Sequence, residues 1–352
     1  MFTSNKDIVG VDIGSSSIKI VQLREARNGY HLENLGIMPL APEVIVDNAI
    51  MDAPAVTDAI SSLLTSMKIK NKRIATSVSG HSVIIRKITL PLMTEAELES
   101  SIQWEAEQYI PFDISEVNID FQILGPDPKD ASQMNAVLVA AKKDFVSDYT
   151  AVFTDAGLEP VVMDIDCFAV ENMFVHNYGY VEDEVVALID MGASETSVNV
   201  LKGGASIFTR DIQAGGNLLS EELQKRLGIS SDDAERAKIG ARDLPDVDSS
   251  MLDDILASSI ENLVQEVQRS LDFFAATSSE DRITKVYLAG GVSSSVKVLS
   301  ALEERLEVPA ERVDPFRNIH FSDKQFDAEY LYVVGPMFSV ATGLAMRKVG
   351  DK

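Results

Sequence analysis

A possible catalytic or binding motif occurs in the opening segment Ile8–Leu23, IVGVDIGSSSIKIVQL, where an aspartate follows an apolar run. The segment predicts a strand, a tight turn through Asp12-Ile13-Gly14 and a second strand, with serines and Lys19 beside the turn. A carboxylate can order the water shell of Mg²⁺, while hydroxyls, backbone amides and an ammonium group can bind phosphate oxygens. Taken alone, an Asp-x-Gly sequence more often marks an ordinary hairpin turn.

A second copy of this pattern occurs in residues 184–201, which again predict a strand, a turn and a strand. The two copies align without a gap and match three turn residues: Asp12 with Asp190, Gly14 with Gly192, and Ser16 with Ser194. Such a match indicates an internal duplication. Two hairpins of this kind, facing each other across a cleft, could grip phosphates from both sides.

Two further motifs have the chemistry needed for the rest of a nucleotide. Gly290-Gly291 lies between a predicted strand and a predicted helix, where a flat ring could approach the backbone closely. Glu235 and Lys238 lie on one face of a predicted helix and could hydrogen-bond two ribose hydroxyls. Each motif also has a simpler interpretation, as a common turn and as a surface ion pair. The order and spacing of all four motifs together predict a nucleotide-binding site.

The composition excludes several classes of protein. With 352 residues, 45% of them hydrophobic and 24% charged, the sequence indicates a soluble globular protein of two or more domains. The formal net charge of −24 argues against nucleic acid as a partner and against direct adsorption to an anionic membrane. The sole cysteine, Cys167, and the absence of an apolar signal segment or membrane span predict a cytoplasmic protein.

A separate α/β module is predicted over residues 80–160, between the two hairpins. Thr94 and Glu97 have the spacing of a capping box, which predicts a helix from there to about Tyr109. The predicted order is strand, helix, strand, strand, helix and strand, ending with Val161–Ile165, which is the split βαβ arrangement. The hairpin pattern resumes after this module, so we interpret it as an insertion.

Several helices are predicted to support the second hairpin. The residue patterns predict them over Asn217–Leu227, behind Gly215-Gly216, over Ser230–Gly240, opened by Asp232 or Asp233, and over Ile255–Ala276. A final helix, Pro336–Arg347, is rich in small residues that would let two helices cross at close range.

The order of hairpin, connecting helix, hairpin, Glu-x-x-Lys helix and Gly-Gly loop resembles the actin-like ATPase superfamily, which includes actin, the large heat-shock chaperones and FtsA. The resemblance implies an α/β fold with duplicated ribonuclease-H-like domains that bind ATP or ADP, and Mg²⁺ held through water by Asp12 and Asp190. It also implies crossed helices at the domain hinge, Cys167–Phe174 and Met337–Arg347. The implied cofactor contacts are Asp12, Gly14, Ser15, Ser16, Lys19, Asp190, Gly192, Ser194, Gly215, Gly216, Glu235, Lys238, Gly290, Gly291 and Ser293.

The inserted module indicates which family within this superfamily the sequence resembles. Its segment Trp104–Asp113, WEAEQYIPFD, continuing to Gln122, is closely similar to the signature of the PilM family, and so is the ending Val340–Arg347. The resemblance implies four subdomains. Subdomain 1A would comprise 1–79 and 161–182, the inserted subdomain 1C 80–160, subdomain 2A 183–216 and 282–352, and subdomain 2B 217–281.

A PilM-like protein would be an ATP-binding cytoplasmic adaptor of type IV pilus assembly. The resemblance implies that it binds the cytoplasmic N-terminal tail of the inner-membrane protein PilN, in a groove between subdomains 1A and 1C. Membrane association would then be indirect, which suits the acidic charge. PilO, the assembly ATPase PilB and the platform protein PilC are the implied neighbours, and a homo-oligomer or ring is an implied assembly.

Other functions stay open from the sequence alone. An FtsA-like filament protein of cell division shares the superfamily and the inserted module, although the ending at Lys352 favours PilM. A small-molecule kinase would need a catalytic carboxylate or an Asn-Asp pair in the first domain, and we identify no loop carrying one. For ATP hydrolysis, Asp166 could orient the attacking water, but the favoured interpretation is a cap of the helix that begins at Cys167.

Overall fold

The computed structural model describes residues 7–127, 129–240, 244, 247–278 and 281–351. Its strands are β1 Val9–Ile13, β2 Ser17–Ala26, β3 Gly29–Pro39, β4 Ile45–Val46, β5 Ala49–Ile50, β6 Arg73–Val78, β7 Val83–Pro91, β8 Val117–Pro126, β9 Gln133–Lys142, β10 Glu159–Ile165, β11 Val185–Met191, β12 Thr196–Lys202, β13 Ala205–Ile212, β14 Lys285–Ala289, β15 Ala310–Arg312 and β16 Ile319–His320. Its helices are α1 Ala53–Ser66, α2 Glu95–Ala106, α3 Lys143–Asp155, α4 Asp166–Tyr178, α5 Gly216–Leu227, α6 Ser231–Lys238, α7 Ser249–Thr277, α8 Val296–Leu306, α9 Ala328–Val334 and α10 Ser339–Ala345.

Two sheets of the same topology form the framework. The first has the order β10-β6-β1-β2-β3-β16 and the second β13-β12-β11-β14-β15. In each, the first three strands of the unit are antiparallel neighbours and the next two are added in parallel. When the strands of each main sheet are numbered in chain order and β16 is set aside, both orders are therefore 3-2-1-4-5. The duplication inferred from two short hairpins extends to the whole sheets.

Helices cover the sheets and fill the space between them. The second sheet packs its apolar residues against α7, where Leu263, Val264 and Val267 are fully buried. This helix begins earlier than the predicted Ile255, because the Asp248 side chain accepts a hydrogen bond from the Ser250 amide and caps the N-terminus at Ser249. The first sheet is covered by α1 and α3, whose apolar faces join the same core.

Helices α4 and α10 cross between the two sheets at very short range. A Cβ atom added to Gly343 of α10 would lie 1.8 Å from the carbonyl oxygen of Ala169 in α4, so only glycine fits there. The predicted close crossing is thus confirmed. The final helix is shorter than predicted, however, because Gly335–Phe338 forms a 3₁₀ turn before α10 starts.

The inserted module has its own three-stranded sheet, of order β7-β9-β8, with α2 packed on it. The predicted capping box at Thr94 and Glu97 is confirmed. The predicted place of the last strand in this module is wrong, because β10 pairs in parallel with β6 in the first main sheet. Helix α3 also packs outside the module, with Tyr149 and Phe153 in the core of the first sheet. The module is therefore joined to the first domain through both elements.

The chain returns to the first sheet near its end, where Ile319 of β16 pairs with Tyr30 of β3. The boundaries assigned to the four subdomains stay a prediction. Within the residues that the structure describes, no helix combines the length and the apolar character needed to cross a membrane.

Candidate functional site

A cavity of about 300 Å³ lies between the two sheets, at the turns of the two duplicated hairpins. Most of the predicted contact residues come together on its wall. These are Asp12, Gly14, Ser15, Ser16, Lys19, Asp190, Gly192, Ser194, Gly216, Glu235, Lys238, Gly290 and Gly291, together with Asp166. The four sequence motifs, which are spread over nearly the whole chain, thus converge on one cleft.

The strand register places the two aspartates in equivalent positions. Asp12 of β1 pairs with Lys19 of β2, and Asp190 of β11 pairs with Ser197 of β12. In the first hairpin, Lys19 Nζ donates to Asp12 Oδ2 at 2.9 Å, and both side chains are largely shielded from solvent. The Lys19 ammonium also lies over the turn, since a Cβ added to Gly14 would lie 3.0 Å from Nζ. One cation is therefore fixed beside the first turn.

The two turns touch each other across the cleft. The Ser194 hydroxyl donates to the Ser15 hydroxyl at 2.9 Å. The glycine amides are used within their own turns, since Gly14 donates to the Ser17 carbonyl and Gly192 to the Glu195 carbonyl. The groups that the two turns direct towards each other are consequently serine hydroxyls, and a phosphate bound between the turns would have to separate them.

Carboxyl groups concentrate negative charge at the same end of the cleft. Loss of hydration, followed by repulsion from Asp12 and Asp166, raises the pKa of Asp190 to about 7. The pKa of Asp166 is raised to about 6, mainly by loss of hydration and then by Asp12. A divalent cation would relieve this repulsion, so the donor set fits Mg²⁺. No group of three or more acidic, histidine or cysteine side chains among the described residues is placed to ligate a metal directly.

The favoured interpretation of Asp166 as a helix cap is wrong. Helix α4 begins at Asp166 itself, Ile165 occupies the N-cap position, and no side chain caps the helix there. The carboxyl group instead accepts hydrogen bonds from Ser77 and Ser79, at the end of β6, and lines the cleft. Asp166 therefore faces the same space as Asp12 and Asp190.

Glu235 and Lys238 are bonded to each other at the opposite end of the cavity. Lys238 Nζ lies 2.6 Å from Glu235 Oε2 and donates to the Ser220 hydroxyl at 3.0 Å. Their helix α6 is capped by Ser230, whose side chain accepts from the Asp233 amide, rather than by the predicted aspartates. A ribose hydroxyl that bound to Glu235 or Lys238 would replace one of these hydrogen bonds.

The Gly290-Gly291 turn approaches the second hairpin directly. Gly290 has a φ of 83°, and a Cβ there would lie 2.4 Å from Asp190 Oδ1. Two predicted contacts do not line the wall: Ser293 folds back to donate to the Gly290 carbonyl, and Gly215 packs against the Ala193 carbonyl. Their predicted contacts with a cofactor stay predictions, and Ser294 and Ser295, which follow Ser293, line the cleft.

The wall also contains residues that sequence reasoning missed, among them Asn48, Ser79, Glu195, Met337 and Val340. Glu195 lies in the second turn next to Ser194, and its pKa is raised to about 8, chiefly by loss of hydration and then by Asp211. Its position directly after the matched turn residues was a usable signal. No sequence signal marked Asn48, because its position on the cleft wall depends on contacts with residues distant in the sequence.

The duplicated 3-2-1-4-5 sheets and the aspartate hairpins that face each other define a protein of the actin-like ATPase fold. This agrees with the structure of MreB 5 of Spiroplasma citri bound to AMPPNP, which is 13% identical and has a TM-score of 0.55 over 97% of this chain and 95% of that chain. The family model for the type IV pilus assembly protein PilM matches residues 10–349, and the chain belongs to this family.

Two further comparisons agree with that assignment. The structure described as the PilM-PilN type IV pilus biogenesis complex is 29% identical, with a TM-score of 0.88 over 99% of this chain and 100% of that chain. The cell division protein FtsA of Streptococcus pneumoniae serotype 2 (strain D39 / NCTC 7466) is 22% identical over an alignment of 315 residues, which covers 75% of this chain. This chain spans 66% of that relative's own length.

Proposed function

We propose that this chain is an ATP-binding adaptor of type IV pilus assembly that binds the cytoplasmic N-terminal tail of PilN. It would link the inner-membrane PilN/PilO complex to the pilus motor, with PilB and PilC reached through that complex. The observation that carries the proposal is the likeness to the PilM-PilN complex, at a TM-score of 0.88. Because this likeness covers 99% of the chain, it includes the inserted module as well as the two sheets.

The proposed cofactor is ATP or ADP with Mg²⁺. Asp12 and Asp190 would hold the ion through water molecules, and Lys19 would pair with phosphate oxygens. The crowded carboxyl groups support this role, because the bound ion would supply the positive charge that these residues lack. Glu235 and Lys238 would bind the ribose, and Gly290 and Gly291 would face the adenine.

Asp166 is the proposed residue for orienting an attacking water molecule. Support comes from its position in the cleft beside Asp12, where its side chain is held by Ser77 and Ser79. Single-turnover measurements with radiolabelled ATP would compare the unaltered protein with Asp166→Asn. Equal rates in the two proteins would remove Asp166 from this role.

The proposed location is the cytoplasmic face of the inner membrane, reached through the partner's tail. A peptide tail would lie between subdomain 1A and the inserted subdomain 1C, whose boundaries are those predicted from the sequence. The acidic net charge of −24 supports attachment through a protein, because it disfavours direct binding to anionic lipids.

Calorimetric titration with a synthetic peptide of the PilN N-terminal tail tests the adaptor role. The titration is made without nucleotide, with Mg-ADP and with Mg-ATP, and a scrambled peptide of the same composition is the control. We expect saturable binding of the native peptide only. An absence of binding under all three conditions would refute the adaptor role, and robust ATP-dependent polymerisation on lipid vesicles would favour an FtsA-like filament instead.

A further inference from the structure

Asn48 joins three parts of the molecule at the carboxyl-rich end of the cleft. Its Nδ2 group donates to Glu195 Oε2 of the second hairpin at 3.0 Å and to the Ser79 hydroxyl at 3.3 Å. Its backbone carbonyl accepts a hydrogen bond from Tyr149 Oη of α3 at 2.8 Å. One residue therefore contacts the second domain, the end of β6 and the helix that follows the inserted sheet.

Asn48 lies in a tight hairpin turn of the first domain. Asp47 and Asn48 have φ values of 50° and 64°, and they form the two-residue turn between β4 and β5. Left-handed conformations at both central residues are typical of a type I′ hairpin, which Asp and Asn tolerate better than most residues. The side chain that bonds to Glu195 and the carbonyl that bonds to Tyr149 therefore belong to one two-residue turn.

Tyr149 connects this turn to the inserted module. Its side chain is 3% exposed, and its helix α3 starts directly after β9, the central strand of the module's sheet. The other junction of the module is tied to the second domain in a similar way, since the Gly80 amide donates to Asp211 at 3.3 Å. One junction of the module is therefore bonded to the second domain directly, at Gly80, and the other is connected to it only through Asn48.

The contacts from Tyr149 through Asn48 lead to Glu195, beside the place where a terminal phosphate would bind. Glu195 follows Ser194, and Ser194 is hydrogen-bonded to Ser15. A phosphate placed between the two serines must part the turns. Because Glu195 directly follows Ser194, this separation acts against the bond between Glu195 and Asn48.

We propose that Asn48 is a positioning residue that reports the terminal phosphate of a bound nucleotide to the inserted module. The inference rests on the proposed binding of ATP and ADP in the cleft. A nucleoside triphosphate breaks the contact between Glu195 and Asn48 and releases the turn that Tyr149 ties to α3. A diphosphate leaves the contact in place.

Hydrogen–deuterium exchange over residues 133–155 tests this coupling, with the protein saturated by Mg-AMPPNP or by Mg-ADP. We expect different exchange with the two nucleotides in the unaltered protein. The difference should be lost in Asn48→Ala and in Tyr149→Phe, the second of which removes only the hydroxyl that bonds to Asn48. Gln213→Ala is the matched control, because Gln213 donates to the same Glu195 oxygen at 2.6 Å from within the second domain. Its exchange difference should persist.

Calorimetric titration of the same proteins separates the coupling from nucleotide binding. Tyr149→Phe should bind both nucleotides as the unaltered protein does, since Tyr149 does not line the cleft. An exchange difference that persists in Tyr149→Phe, or that is absent in unaltered protein saturated with both nucleotides, would overturn the inference. Failure of the unaltered protein to bind either nucleotide would instead refute the proposed cofactor, and the inference with it.

Discussion

The Ser194 hydroxyl donates a hydrogen bond to the Ser15 hydroxyl, so the two duplicated hairpins contact each other through their turns. These serines belong to different sheets and are 179 residues apart in the chain. Their contact would have to break for a phosphate group to bind between the turns, as proposed. Phosphate binding would in that case be coupled to a separation of the two turns.

A double variant, Ser15→Cys with Ser194→Cys, tests this coupling. Since the hydroxyls are 2.9 Å apart, the introduced thiols should form a disulfide on oxidation and hold the turns together. We expect the oxidised protein to lose nucleotide binding in a calorimetric titration and to regain it on reduction. Ser15→Cys alone is the control, because the native Cys167 is buried and unavailable. Unchanged binding by the oxidised double variant would show that phosphates do not enter between the turns.

Asp12→Asn should weaken Mg-dependent nucleotide binding while preserving the fold. The substitution removes a charge that would order the ion's water shell, and losses of about 10–100-fold in metal affinity are usual for such outer ligands. Binding is measured with Mg²⁺ present and absent, and circular dichroism monitors the fold. Asp323→Asn, at an exposed turn, provides the control. An unaltered Mg-ATP affinity in Asp12→Asn would refute the role of this carboxylate.

Adjacent glycines of the Gly-Gly turn should differ sharply in their tolerance of alanine. At Gly290 a methyl group would lie 2.3 Å from the Met191 carbonyl, and φ is 83°, so Gly290→Ala should lower the free energy of unfolding by about 1–3 kcal/mol. At Gly291 the nearest atom, in Met337, is 3.9 Å away, and the cost should be small. Urea denaturation of both variants compares the two positions. Equal destabilisation would contradict the close approach of Gly290 to the second hairpin.

Glu171 should make the stability of the ligand-free protein depend on pH. Loss of hydration raises its pKa from 4.5 to about 7, although Ser206 and Asn199 oppose the shift by hydrogen bonding. Its contribution to stability is therefore fully present below pH 4.5 and is lost as the pH rises through about 7. Glu171→Gln should flatten this decline in urea denaturation across that range.

The matched control for the pH dependence is Glu304→Gln, since Glu304 is exposed on α8. It should leave the dependence of unfolding free energy on pH as it is in the unaltered protein. Other carboxyl groups with a raised pKa, such as Asp190, contribute to the same decline in both proteins. If Glu171→Gln leaves the slope of the unfolding free energy against pH unchanged, Glu171 titrates outside the range from pH 4.5 to about 7.

The parts of the site that could be predicted from the sequence are those encoded by short spacings. Asp12 and Gly14, and their counterparts Asp190 and Gly192, form local turns, and the gap-free repeat revealed that the turns correspond. The capping box at Thr94 was equally local and was confirmed. In each case, neighbouring residues determine the conformation, so one window of sequence contains the necessary information.

Two of the predictions that failed, and one residue that was missed, depended on contacts between distant segments. Asp166 is held at the cleft by Ser77, near the end of the parallel neighbouring strand β6, and by Ser79, just beyond that strand. The sheet to which β10 belongs is likewise decided by pairing with β6. Asn48 lies in an ordinary polar turn by sequence, and only the fold brings it to Glu195. The hydrophobic periodicity of a segment and the spacing of its residues do not reveal which distant segments pair in the fold.

The two hairpins differ at the residue that pairs with each aspartate, and this difference gives the proposed phosphate site a direction. Asp12 pairs across its hairpin with Lys19, whereas Asp190 pairs at the equivalent place with Ser197. Two hairpins with the same residue at this position would accept a phosphate chain equally well from either side. Because a lysine pairs with the aspartate in the first hairpin only, the more negative portion of an asymmetric ligand would be drawn towards that hairpin. A single lysine thus breaks the pseudo-twofold symmetry and gives the ligand one preferred orientation.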